Sequence, residues 1–257
     1  MRILPRVCET RILLVAEPRN QNPGTEPRKL GTEPRNVGTL ETSCNPRNLV
    51  ELRNLVEPRN HLIRFPSQPG GLLPFEGVYS VLPTPFRGGG EIDVESLKRV
   101  VDLIVAAGVN GVTALGVTGE AARLSERERA VVVDTVVKQA AGRVKVIVGT
   151  SADGVRTCID FSREARSLGA TAVMVSPPRM PKLNSESVVN HYKALAEAVD
   201  LPIVVQDYPP ISGFAMEAGL LARIAREVPA ARAIKLEDPP TPFKTSRILT
   251  AAGETKV

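Results

Sequence analysis

The segment "ARAIKLEDPP" (231–240) sets a lysine, Lys235, inside a run of small and branched residues, with Glu237 and Asp238 directly behind it. The run reads as a short buried strand, and an ammonium there must either be paired or shed its proton and react. An amine freed by desolvation is a nucleophile that can form an imine with a carbonyl substrate. Along the strand Ala233 and Lys235 share one face while Ile234 and Leu236 share the other. With the aliphatics on a helix layer, the lysine points to the opposite, interior side. The competing reading is a structural lysine paired with Glu237, Asp238 or another inward carboxylate.

A second stretch with chemical potential is "GVTGE" (116–120), at the end of another β-like run. Two glycines around Thr118 allow a tight turn whose amides converge on an anion, and the threonine hydroxyl adds a donor. Such a turn suits a substrate carboxylate. Glycine-rich turns between strand and helix are also common as plain connections.

These residues need a scaffold, and from Gly77 onward the sequence supplies one. Strands are expected at 78–83, 111–116, 144–149, 171–176, 202–208 and 231–236. Helices are expected between and after them, at about 93–107, 125–141, 155–168, 185–199, 216–228 and 241–252. Asp93 and Ser125 suit N-caps, the latter with Glu128 in capping-box spacing, and Gly108, Gly142, Gly169 and Gly253 follow helix ends. Strands that are apolar on both sides and joined by helical crossovers imply a parallel sheet. No GxGxxG follows the first strand and no Walker lysine is present, which disfavours nucleotide-binding doubly wound folds. The fold class expected is therefore α/β, of the (β/α)8 TIM-barrel type. A full barrel takes about 250 residues. The stretch from 77 to 257 holds about six βα units, so an incomplete barrel is expected over 76–257.

Residues 1–75 have a different texture. "EPRN" recurs at 17–20, 33–36 and 57–60, with variants such as "NPRN" at 45–48. Proline at this frequency blocks both ladder types, and sparse aliphatics cannot offset the entropy of ordering, so this segment is expected to be a disordered extension. The net charge of +5 over 257 residues and the 4% aromatic content argue against a nucleic-acid surface. Cys8, Cys44 and Cys158 are too scattered for a disulfide framework or zinc site and read as free thiols. His61 and His191 belong to no ligand cluster, and His191 is expected beside Tyr192 on an amphipathic helix. No metal or cofactor is expected. The absence of a membrane-length apolar run or signal-peptide core leads to a cytoplasmic expectation.

Five motifs together resemble the dihydrodipicolinate synthase/N-acetylneuraminate lyase family of class I, Schiff-base aldolases and lyases. They are "PTPF" (83–86), "EID" (91–93), "GVTGE" (116–120), "SERER" (125–129) and "AIKLED" (233–238), in the family's order and spacing. The resemblance covers 77–257. It implies a metal-free lyase or aldolase acting on pyruvate or a related 2-oxo acid. Lys235 is then the imine lysine, and Thr118, with the amides of its loop around Val117 and Gly119, grips the substrate carboxylate. The family also implies a proton-shuttling tyrosine after the fourth strand and a relay hydroxyl in the glycine-rich loop. Pro178 and Val117 stand at those places here, and Tyr208 in "QDYPP" (206–210) is the substitute read from its location, with an aromatic cap under Pro209 and Pro210 as its alternative. Asp207 is another proton carrier by location, and Arg179 or Lys182 could meet a second carboxylate. A homo-oligomer is implied by family tendency. The alternative expectation from another class is a non-catalytic, truncated remnant of such an enzyme, and a phosphate-binding barrel isomerase is a weaker third.

Overall fold

A computed structural model describes residues 75–252. The repeats, with Cys8, Cys44 and His61, lie outside the described residues, as does Gly253. Six strands run through the described part: β1 (Tyr79–Val81), β2 (Gly111–Ala114), β3 (Lys145–Gly149), β4 (Ala172–Val175), β5 (Ile203–Asp207) and β6 (Ala231–Leu236). They form one sheet in the order β1-β2-β3-β4-β5-β6, every pair parallel. Each strand is followed by a helix: α1 (Val94–Ala106), α2 (Glu126–Ala140), α3 (Val155–Ser167), α4 (Ser185–Ala198), α5 (Ala218–Glu227) and α6 (Thr241–Ala252). All twelve elements fall where the sequence pattern puts them, with ends displaced by a few residues.

The strand order decides between the two parallel architectures. A doubly wound sheet reverses its order at a switch point and carries helices on both faces. Here the order simply follows the chain, as in a barrel wall. The two faces of the sheet are accordingly unequal. Val112, Val146, Val148, Val173, Val175, Ile203 and Val205 join the large core shared with the helices, where Ile234 and Leu236 also pack. Ile147, Ala172, Met174 and Val204 form a small separate cluster on the opposite face, against Tyr79, Phe75 and Ala233. That second face is the interior of the barrel wall.

Local signals set the helix starts. The Asp93 carboxylate accepts from the Ser96 amide at 3.0 Å. Ser125 and Glu128 close a full capping box, each side chain accepting from the other's amide. Gly108, Gly142 and Gly169, just past three helix ends, all have positive φ. Two short features had no periodic signal: a 3-10 turn at Ala121–Arg123 and a helical turn at Pro209–Ser212. Three or four residues are too few to show a period. No helix among the described residues is long and apolar enough to cross a membrane.

His191 lies beside Tyr192 on α4, ring centroids 5.6 Å apart. Tyr192 is fully buried and its hydroxyl donates to the Val175 carbonyl at 2.9 Å. Cys158 is a buried free thiol, its pKa pushed up to about 11 by burial; so raised, it is unreactive at neutral pH.

Two stability predictions arise here. Gly149 ends β3 directly beneath the backbone of Leu115, and a Cβ at this glycine would lie 2.0 Å from the Leu115 carbonyl oxygen. Neither backbone can yield cheaply, so Gly149→Ala should cost at least about 1–3 kcal/mol, read as a lowered denaturation midpoint. The second concerns His191, which is buried and whose Nε2 has no hydrogen-bond partner. Burial lowers its pKa, whereas in the unfolded chain it titrates near about 6.5. Above that pH both states are neutral and stability is complete; as pH falls through it, the unfolded chain takes up a proton that the folded protein resists, and stability drops until the lower folded pKa is reached. Melting temperature should therefore fall between pH 7 and 5, and His191→Gln should flatten that slope.

Candidate active site

Parallel strands deliver all their C-terminal ends to one side, and Lys235 lies near that end of β6. It pairs in register with Gln206 of β5. Ala233, two residues before it, packs on the interior cluster, while Ile234 and Leu236 pack on the helix-facing core. The alternation read from the sequence thus holds, and Lys235 takes the interior face. Its side chain is 32% exposed, and its Nζ lies 3.0 Å from Glu237 Oε2. The pairing considered as the structural alternative is therefore present in the same geometry that suits a reactive amine.

Glu237 is held from a second side. Its Oε1 accepts from Gln206 Nε2 at 2.8 Å. Gln206 Oε1 in turn accepts from the Ser176 hydroxyl at 3.3 Å, and Ser176 Oγ lies 3.1 Å from Ser151 Oγ. A chain of polar contacts therefore crosses the strand ends from β6 through β5 and β4 to the loop after β3. Ser176 and Gln206 are buried, so each of these bonds satisfies a group that would otherwise be costly to enclose. Neither Gln206 nor Ser176 was singled out from the sequence. The signal was available: Gln206 is a polar residue at an inward position of β5, two residues after the inward Val204 and directly across from Lys235.

The "GVTGE" loop follows β2. Leu115, just before it, and Glu120, its last residue, both adopt left-handed backbone conformations, with φ of 56° and 55°. For residues with a side chain this costs about 1–3 kcal/mol each and is tolerated where surroundings fix the geometry. The fixing contacts are visible. The Thr84 hydroxyl donates to the Gly119 carbonyl at 2.7 Å. A Cβ on Gly119 would crowd the Leu82 carbonyl and the amides of Leu115 and Gly116 at 3.1–3.3 Å. Arg129, from "SERER", is buried over the Phe161 ring and donates to the carbonyls of Ala121 and Gly149. Within the loop the amides of Gly119 and Glu120 bond back to Gly116 and Val117. No hydrogen bond among the described residues claims the amides of Val117 and Thr118, whose side chains are exposed. They are available to an incoming anion.

The remaining expected residues are less concentrated. Tyr208 is half-buried, belongs to neither core cluster, and its hydroxyl has no hydrogen bond among the described residues. Its carbonyl starts the Pro209–Ser212 turn, accepting from Ile211 and Ser212. Pro178, standing after β4 where the resemblance implies a tyrosine, is buried. Asp207 is not on the interior face: it follows Gln206, is wholly buried, and pairs with Lys244 of α6. Burial raises the Asp207 pKa against the pull of Lys244. Arg179 is exposed. Lys182 lines a cleft of about 230 Å3 with Pro178, Leu183, Ser212 and Phe214.

Comparison with known proteins brings in relatives of one kind. A model of the dihydrodipicolinate synthetase family matches residues 74–237. The chain is 38% identical over 151 residues to the 4-hydroxy-tetrahydrodipicolinate synthase of Pelobacter propionicus, covering 59% of this chain and 52% of that protein. It is 36% identical over 184 residues to the L-2-keto-3-deoxyarabonate dehydratase of Azospirillum brasilense, covering 69% and 58%. Among solved structures, a dihydrodipicolinate synthase from Acinetobacter baumannii in complex with pyruvate aligns at a TM-score of 0.65 with 32% identity, over 69% of this chain and 60% of that one. The chain spans about half the length of the curated relatives it matches.

The loop geometry yields its own prediction. Thr84→Val removes the donor to Gly119 and leaves a buried carbonyl unsatisfied, which should cost about 1–3 kcal/mol. Because that bond anchors "GVTGE", proteolysis or hydrogen exchange should report faster opening of 115–121 than of the β4–β5 pair.

Proposed function

The chain belongs to the dihydrodipicolinate synthetase family, and from that membership we propose that it is a lyase acting on a 2-oxo acid through an imine on Lys235. The observation that carries this reading is the contact of Lys235 Nζ with Glu237 Oε2 at 3.0 Å, on the interior face at the strand ends. The ammonium must lose a proton before its lone pair attacks the C2 carbonyl, and with the lysine side chain 32% exposed water can take that proton as well as Glu237. Water then leaves and a protonated imine remains. That cation is an electron sink: when a C3 proton departs, the C–H pair becomes the C2–C3 double bond of an enamine and the imine pair moves to nitrogen. The enamine can expel a hydroxide from C4 as water or engage a carbonyl partner.

Each neighbour has a task in this scheme. The amides of Val117 and Thr118, the Thr118 hydroxyl and the close-packed Gly119 turn form the grip on the substrate carboxylate. Glu237 serves as the proton carrier at C3, and Gln206, itself oriented by Ser176, fixes that carboxylate. Tyr208, half-buried just beyond β5, is the competing candidate for that proton transfer. Pyruvate accompanies one solved relative, and another relative is named for a 3-deoxy 2-oxo sugar acid. Ser151 and Glu237, the reachable ends of the polar chain, can meet hydroxyls of the second kind of substrate.

Borohydride added with pyruvate should leave a stable adduct on the peptide containing 233–238, and Lys235→Ala should abolish it. Labelling that persists in that variant would place the nucleophile elsewhere. No labelling with any of a panel of 2-oxo acids would favour a non-catalytic protein. Glu237→Gln should cut turnover by about 10²–10⁴, the usual share of general acid–base catalysis, while Tyr208→Phe stays near wild type. The reverse ranking would assign the proton transfer to Tyr208.

A further inference from the structure

Lys244 on α6 forms the most deeply buried ion pair among the described residues. Its side chain is 13% exposed, and its Nζ lies 2.5 Å from Asp207 Oδ2 and 2.7 Å from Asp238 Oδ2. The Asp207 side chain is 0% exposed. Burial pulls the pKa of this ammonium down, but the hydrogen bonds and charges of Asp207 and Asp238 outweigh it and raise it. The cluster sits behind the polar chain of the site, since Asp207 follows Gln206 and Asp238 follows Glu237. A further tie joins the two segments, as the Glu237 amide donates to the Asp207 carbonyl at 2.9 Å.

We infer that Lys244 is a positioning residue that holds Glu237 against Lys235, an inference that rests on the imine reading above. The ammonium closes a ring: the end of β5, Lys244, Asp238, the Glu237 backbone, and back to β5 through the amide of Glu237. With both ends of the segment fixed, the Glu237 carboxylate can bridge Gln206 Nε2 and Lys235 Nζ at once. Removing the ammonium takes away the bridge between Asp207 and Asp238 and leaves the enclosed Asp207 carboxyl without its counter-charge. The segment after β6 then relaxes outward and carries Glu237 with it. Lys235, inside the strand ladder, stays in place. Nucleophile and base are thus held by different means, so losing Lys244 should separate the steps each performs.

Two readouts on the full chain, with pyruvate as the probe, separate these steps. Borohydride trapping reports the imine on Lys235. Loss of the pyruvate methyl proton signal in D2O reports transfer of a C3 proton from the imine to Glu237 and then to solvent. Lys244→Met should continue to trap pyruvate while methyl exchange falls about tenfold to a hundredfold, the effect of displacing a reacting group by about 1 Å. The loss should appear in kcat rather than KM, and Lys244→Arg, which keeps the charge, should recover most of it. Asp238→Asn should move exchange in the same direction and decides the matter by the same readouts if Lys244→Met does not fold. A folded Lys244→Met protein that exchanges at the wild-type rate overturns the positioning role alone. So does a parallel fall of trapping and exchange, which marks a purely structural ion pair. A wild-type chain that takes no adduct overturns the imine reading and this role with it.

Discussion

The helix layer claims one face of every strand, and much else in this protein follows from that claim. A parallel strand alternates its side chains with a strict period of two. Once Val205, Ile234 and Leu236 are committed to the helix-facing core, Gln206 and Lys235 have no choice of face. The interior apolar cluster is small, four buried residues with Tyr79, Phe75 and Ala233 around it. Beyond it, toward the strand ends, polar side chains replace apolar ones. The transition from packing to chemistry therefore occurs along the strands themselves.

At those ends, neighbours in sequence are divided between two networks. Gln206 and Glu237 join Lys235 on the interior side, whereas Asp207 and Asp238 join Lys244 on the other. The two networks differ in what they can do. Lys244, enclosed between two carboxylates, is held as a cation and cannot be spared from its pairing. Among the described residues Lys235 has a single carboxylate partner, and its side chain is open enough for a small ligand to reach. Breaking a buried pair by removing one partner is costly because the other charge remains enclosed. The rear network thus resists change, which makes it a firm support for the front one.

The opposite side of the site is supported by backbone rather than charge. Gly149, bare of a Cβ, lets the Leu115 carbonyl pass directly above β3, and Leu115 and Glu120 accept left-handed conformations where the loop begins and ends. Thr84 and Arg129 hold the turn in place through carbonyls. What this arrangement leaves over is a pair of amides, at Val117 and Thr118, with nothing in the described part of the chain to bind.

Much of this was legible in the sequence because its causes are local. Alternation put Lys235 on the interior face, glycines and capping residues marked helix limits, and the alternation of strands and helices implied a parallel sheet, with the lack of dinucleotide and Walker motifs favouring a barrel wall. The glycine-rich loop and the lysine, with three further motifs, were sufficient to identify the family. Asp207, in contrast, was read as a proton carrier from its position alone, and one residue's difference in register places it on the far side of the sheet. The partners of Glu237 and Asp207 are 31 and 37 residues away along the chain, Gln206 and Lys244. Lys244 sits in a helix whose pattern distinguishes it from no other surface lysine. Local sequence determines which face a side chain takes and where an element starts. Which charged groups meet across that face is decided only when separate elements are brought within hydrogen-bond reach, because charge pairing depends on distance in space and leaves no period in the chain.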